Sequence, residues 1–181
     1  MKKLVFVGVL ISFLYSCNST NKVDEKNKLL VKIQQSEKKL YNDSLMELDI
    51  TTADSIINLY SKFANQYADD SSSAEYLFRA AEICKSLNKG KLSISYYERI
   101  ENDYPQFSKM PICIFMQGFV YENLLKDFEN AKYNYQRFID KYPNHALVHD
   151  TKILIENLGK SPEELIKSFQ EKENINKSQN N

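Results

Sequence analysis

Two stretches decide the fold: Ser93-Ile94-Ser95-Tyr96-Tyr97-Glu98-Arg99-Ile100-Glu101-Asn102-Asp103-Tyr104-Pro105 and Ala131-Lys132-Tyr133-Asn134-Tyr135-Gln136-Arg137-Phe138-Ile139-Asp140-Lys141-Tyr142-Pro143. Each opens on a small residue, places a tyrosine four positions later and ends in Tyr-Pro, the proline eight beyond that tyrosine. Ile56, Tyr60 and Tyr67-Ala68 repeat the spacing upstream, so the tyrosines recur at 37 and then 38 residues. Apolar residues three and four apart between these marks predict helices. Proline cannot continue a helix, so Pro105 and Pro143 are expected to end one and turn the chain. Further small residues precede each stretch: Ala81 lies twelve residues before Ser93, and Gly118 thirteen before Ala131. The last copy therefore carries one extra residue. Small residues at Ala81, Gly118, Ser93 and Ala131 let antiparallel helices approach, and Tyr60, Tyr97 and Tyr135 fill the remaining gap.

A small residue, an aromatic four later and a proline eight beyond resemble the tetratricopeptide repeat, whose minimal period is 34. Here three residues are added in the turn between repeats. One helix pair cannot bury its apolar faces alone, so such pairs stack. The resemblance implies an all-α chain, an α–α superhelix of about 2.5 tetratricopeptide (TPR) repeats with additional N- and C-terminal helices. Helices are expected at about 27–41, 52–66, 73–88, 91–103, 110–125, 128–141 and 146–158. A last one should open at Ser161-Pro162-Glu163-Glu164, with Ser161 as cap, Pro162 in the first turn and Glu164 completing a capping box, and end near Glu171. With only four glycines and no alternating run, strands are not expected.

The beginning of the chain has a different character. Lys2 and Lys3 precede an apolar stretch from Leu4 to Tyr15, twelve residues where a bilayer core of about 30 Å needs roughly 20. A short apolar run behind basic residues reads as a signal peptide. Its close, Leu14-Tyr15-Ser16-Cys17, resembles the lipobox of bacterial lipoproteins, which implies cleavage before Cys17 and lipid attachment to it. Several acyl chains on one cysteine hold a membrane firmly, at about 0.8 kcal/mol per buried methylene. The expected organisation is a signal peptide at 1–16, a flexible tether at 17–26, the helical domain at 27–171 and a disordered tail at 172–181.

Lys and Arg balance Asp and Glu at 24 each; loss of residues 1–16 removes two lysines and no acid, leaving a formal charge of −2. No basic run longer than two remains to bind nucleic acid. Cys84 and Cys113 sit in apolar helical contexts and read as buried thiols, although an oxidising periplasm would permit a bond if their Cα atoms came within about 7 Å. His145 and His149 are four apart, which would put them on one helix face, but His-Ala-Leu-Val-His lacks a catalytic glutamate and a third ligand. No phosphate-binding glycine loop and no nucleophile motif appear. Neither an enzyme nor a cofactor or metal site is expected.

The helix endings FANQYADD, IENDYPQF and FIDKYPNH, with NLGKSPEELIKSF, resemble tetratricopeptide outer-membrane lipoproteins of Bacteroidetes type, BamD-like or YbgF-like, over roughly residues 50–170. That resemblance implies a membrane-anchored scaffold or adaptor for protein–protein interaction in the Gram-negative envelope, held in the outer membrane and facing the periplasm. A self-associating structural subunit is the alternative. In such repeats ligands meet the first helix of each pair, which points to Arg79, Glu82 and Lys85 in one repeat and Met116, Gln117 and Val120 in the next. A groove polar at one end and apolar at the other suits a peptide from a protein partner.

Overall fold

The computed structural model describes residues 7–42 and 49–179, and the described residues form helices joined by turns, without a strand. In chain order these are α1 (Val7–Asn42), α2 (Ile50–Gln66), α3 (Ser73–Ser86), α4 (Gly90–Asp103), α5 (Met110–Val120), which continues into a π-turn (Tyr121–Leu125), α6 (Phe128–Lys141), α7 (Val148–Asn157) and α8 (Pro162–Gln179). The fold is all-α.

The three tyrosine endings close their helices in one way. The N–H groups of Tyr67, Tyr104 and Tyr142 donate to the carbonyls of Phe63, Ile100 and Phe138 at 2.9, 2.9 and 3.0 Å. Their φ values are −132°, −133° and −132°, with ψ at 52°, 57° and 57°. Three residues on, Asp70, Phe107 and His145 donate back to those tyrosine carbonyls, and Ser73, Met110 and Val148 repeat the step to start the next helix. Tyr67-Ala68 makes this turn without a proline. The ending therefore rests on the tyrosine conformation and the paired backbone bonds, and Pro105 and Pro143 only follow it.

The extra residue of the last copy goes into the π-turn. Lys89 N–H donates to the Cys84 carbonyl at 2.8 Å, whereas the equivalent Asp127 N–H must reach back one residue further, to Tyr121 at 2.9 Å. A π-turn is how a helix absorbs a single inserted residue without losing its register on the neighbours. Both connections then use a left-handed residue, Asn88 at φ 56° and Lys126 at φ 54°.

The chain divides into two compact units, 1–83 and 84–181, with the boundary inside α3. In the first, α1 packs along α2. Leu29 and Ile33 of α1 are buried, as are Ile56, Tyr60 and Phe63 of α2. The Tyr60 hydroxyl donates to Glu37 at 2.6 Å, and its ring stacks on Tyr76 at 5.1 Å. Lys26 pairs with Asp70 and lies 5.8 Å from the Tyr67 ring. α1 thus supplies the first helix that the leading half-repeat lacks. In the second unit α5 is flanked by α4 and α6, and α7 packs on α6. Tyr135 lies against Gly118, so close that a Cβ there would be 2.5 Å from the ring. Its hydroxyl donates to Glu122 at 2.6 Å, the counterpart of Tyr60 and Glu37. Glu101 of α4 accepts from Arg137 and from Lys141 of α6.

Several boundaries differ from the expected ones. α1 begins at Val7 and runs through 17–26, the stretch expected as a tether. Those residues contain neither glycine nor proline, so nothing in them breaks the helix. α8 likewise continues past Glu171 to Gln179. Lys2 and Lys3, and the last two residues of the tail, lie outside the described residues. Ser161 caps α8 as expected: its N–H donates to Glu164 at 2.8 Å, and Glu164 N–H donates to its Oγ at 3.2 Å.

Candidate partner-binding cleft

The residues singled out from repeat geometry divide on inspection. Gln117 is 3% exposed and Val120 is fully buried, so neither can meet a partner. The reason is that α5 is flanked by α4 and by α6, and Gln117 and Val120 fall on its buried face together with Cys113, Ile114 and Gly118. Gln117 instead donates to Glu101 at 3.5 Å. Met116 is half-buried. Arg79 is an exposed structural link: its Nη1 donates to Glu37 at 2.9 Å and its Nε to Glu75 at 3.2 Å, tying α3 to α1. Glu82 is half-buried, and the Lys85 ammonium lies 5.8 Å from the Phe119 ring. Cys17 lies within α1.

A recess does open elsewhere in the second unit, where the fold is least regular. A cleft of about 400 Å³ is lined by Glu122, Asn123 and Lys126 of the π-turn region, Phe128 of α6, Leu154 and Asn157 of α7, and Gly159, Lys160 and Leu165. Comparing the two connections shows why it exists. At the start of α4 stands Gly90, whose missing side chain lets Leu124 and Leu125 close to within 3.2 and 2.9 Å of a Cβ position. The equivalent residue at the start of α6 is Phe128, whose ring meets the backbone of Gly159 instead and stays 42% exposed. Gly159 sits at φ 75°, a left-handed conformation that ends α7 early and turns the chain past the ring. The glycine seals one junction, and the phenylalanine props the other open.

The cleft lining carries two cations and one carboxylate. Glu122 is occupied by the buried Tyr135 hydroxyl, whose pKa is raised well above the usual tyrosine range by burial and by that carboxylate. Lys126 and Lys160 line the cleft, and the Lys160 ammonium donates to Asn157 at 3.2 Å. Asp127 caps α6, accepting from the Asn130 side-chain amide at 2.7 Å and from Asn130 N–H at 3.0 Å, and these bonds hold its carboxyl below the usual range.

Residues 113–145 match the tetratricopeptide repeat family. The match runs from within α5 through the π-turn and α6 and includes four of the cleft-lining residues, Glu122, Asn123, Lys126 and Phe128. No curated protein matches the chain.

Cys84 and Cys113 are both buried, and neither is in a disulfide. His145 lies in the turn before α7, not on the helix, so the i, i+4 face presumed for it and His149 does not form. Its Nδ1 accepts from Leu147 N–H at 3.2 Å, and its ring meets Phe138 edge-on at 5.2 Å. Among the described residues no group of three metal-binding side chains occurs, and no helix is long and apolar enough to cross a membrane.

The sequence reading missed the cleft, although three signals for it were present: the extra residue between Gly118 and Ala131, a lysine where Asn88 stands in the preceding copy, and phenylalanine in place of Gly90.

Proposed function

We propose that this chain is a lipid-anchored tetratricopeptide scaffold that docks a protein partner in the Gram-negative cell envelope. The observation that carries the reading is the recurrence of one helix-turn geometry at Tyr67, Tyr104 and Tyr142, together with the family match over 113–145. Repeats of this kind stack helix pairs to present surface to other proteins. The lipobox-like Leu14-Tyr15-Ser16-Cys17 supports anchoring through Cys17, and the basic and apolar residues before it support export. Asn18 after the cysteine agrees with an outer-membrane address facing the periplasm. Because α1 continues from Cys17 without a break, the anchor joins the first unit through helix, at about 1.5 Å of rise per residue.

Crosslinking in intact cells tests the reading. A specific envelope protein should be enriched over a control lipoprotein, and absence of any enrichment contradicts it. Self-association is a second reading, favoured by Ile166 of α8, which is left largely exposed. Sizing the soluble domain separates the two, since the scaffold runs as a monomer.

A further inference from the structure

We infer that the cleft between the π-turn, α6 and α8 is a peptide-docking site for a partner segment in which a large apolar side chain lies next to carboxylates. The inference rests on the scaffold reading and names the chemistry of what it binds.

Three features of the second unit converge on that occupant. The floor is apolar and partly open: Phe128, Leu154 and Leu165 line it, and Phe128 offers a rigid aromatic surface of the kind that dominates binding energy. A volume of about 400 Å³ takes one or two side chains of an extended peptide and is too small for a helix laid along it. The lining carries two cations, Lys126 and Lys160, against one carboxylate, Glu122, which accepts the Tyr135 hydroxyl. Asn123 and Asn157 add amides able to bond a peptide backbone. An acidic segment is therefore attracted where a basic one is repelled.

The position of Lys126 adds a separate argument. The left-handed backbone at φ 54° is filled by asparagine in the preceding copy, the residue that tolerates it, and by lysine here. A lysine in this strained conformation beside a cleft fits a role in binding. It also supplies a mild variant, Lys126→Asn, which places at this left-handed position the residue type that Asn88 supplies at the equivalent one.

The probe is a fluorescent hexapeptide with a central leucine–phenylalanine pair between aspartates, titrated against the full domain and compared with the same peptide carrying lysines for aspartates. The aspartate peptide should bind at sub-millimolar Kd and the lysine peptide at least tenfold more weakly. Lys126→Asn should weaken the aspartate peptide three- to tenfold while leaving thermal stability equal or higher, and Lys126→Glu with Lys160→Glu should abolish the preference. Equal binding of both peptides, or binding indifferent to these variants, overturns the inference. In-cell crosslinking separates this from the scaffold reading. If a partner is captured equally by the doubly reversed variant, the scaffold stands and the cleft assignment falls; if no partner is captured by either form, the scaffold reading itself fails.

Discussion

Gly118 and Tyr135 set the tightest tolerance in the second unit. A Cβ at Gly118 would stand 2.5 Å from Tyr135 Cδ1, a separation that non-bonded carbons do not sustain. The ring is fully buried and held by its bond to Glu122, so it cannot swing aside cheaply. Gly118→Ala should therefore destabilise the domain by about 1–3 kcal/mol, read by urea denaturation; a loss below the error of that measurement contradicts the packing described. Tyr60 and Tyr135 share a second consequence. Burial, reinforced by Glu37 and Glu122, raises both phenols above their ordinary value of 10.0. A raised pKa in the folded state means that the folded chain keeps protons the unfolded chain has lost. Stability is then complete below pH 10 and falls as pH rises beyond it, by up to about 1.4 kcal/mol per pH unit for each group. Replacing either with phenylalanine should flatten that decline while costing about 1 kcal/mol at neutral pH. Lys126→Asn belongs at this scale too, with a gain of a few tenths to about 1 kcal/mol expected from relief of the left-handed lysine.

At the scale of elements, the spacing of small residues and tyrosines was enough to place α2 to α6 within two residues or so, because each boundary is set by nearby residues: a capping side chain, a tyrosine ending or a left-handed turn. Ser161 and Glu164 announced α8 for the same reason. What could not be read is how one inserted residue is accommodated. The count between Gly118 and Ala131 shows that a residue is extra, but whether it lengthens the loop or bulges the helix depends on which neighbours the helix must keep facing. Here α5 keeps its packing on α4 and α6, and the π-turn takes up the difference. Gln117 and Val120 were assigned to a groove for a related reason: burial on both sides of α5 is a property of the packed unit, which spacing along one helix does not contain. Deleting Asn123, an exposed residue of the π-turn, should return this connection to the geometry at Asn88. Helical circular dichroism should be retained, with a smaller stability loss than that of Gly118→Ala; collapse of the helical signal would show that the π-turn is needed for folding.

For the whole molecule, the sequence announces the helical class through its repeat, while the partner stays unwritten because recognition depends on which side chains the packing leaves exposed. The proposed anchor is a matter of covalent chemistry and can be tested apart from the fold. Cys17→Ala should shift the protein from the membrane to the soluble fraction without changing its helical signal, and unchanged fractionation contradicts lipid attachment. The two claims, anchoring and docking, meet in one measurement: photo-crosslinking in intact cells from a reactive group placed at Asn123, on the rim of the cleft, in the otherwise native chain. The account predicts a discrete adduct with one envelope protein, recovered with membranes and lost in the variant reversed at Lys126 and Lys160. A surface that gives no adduct, or the same adducts with that variant, would contradict it.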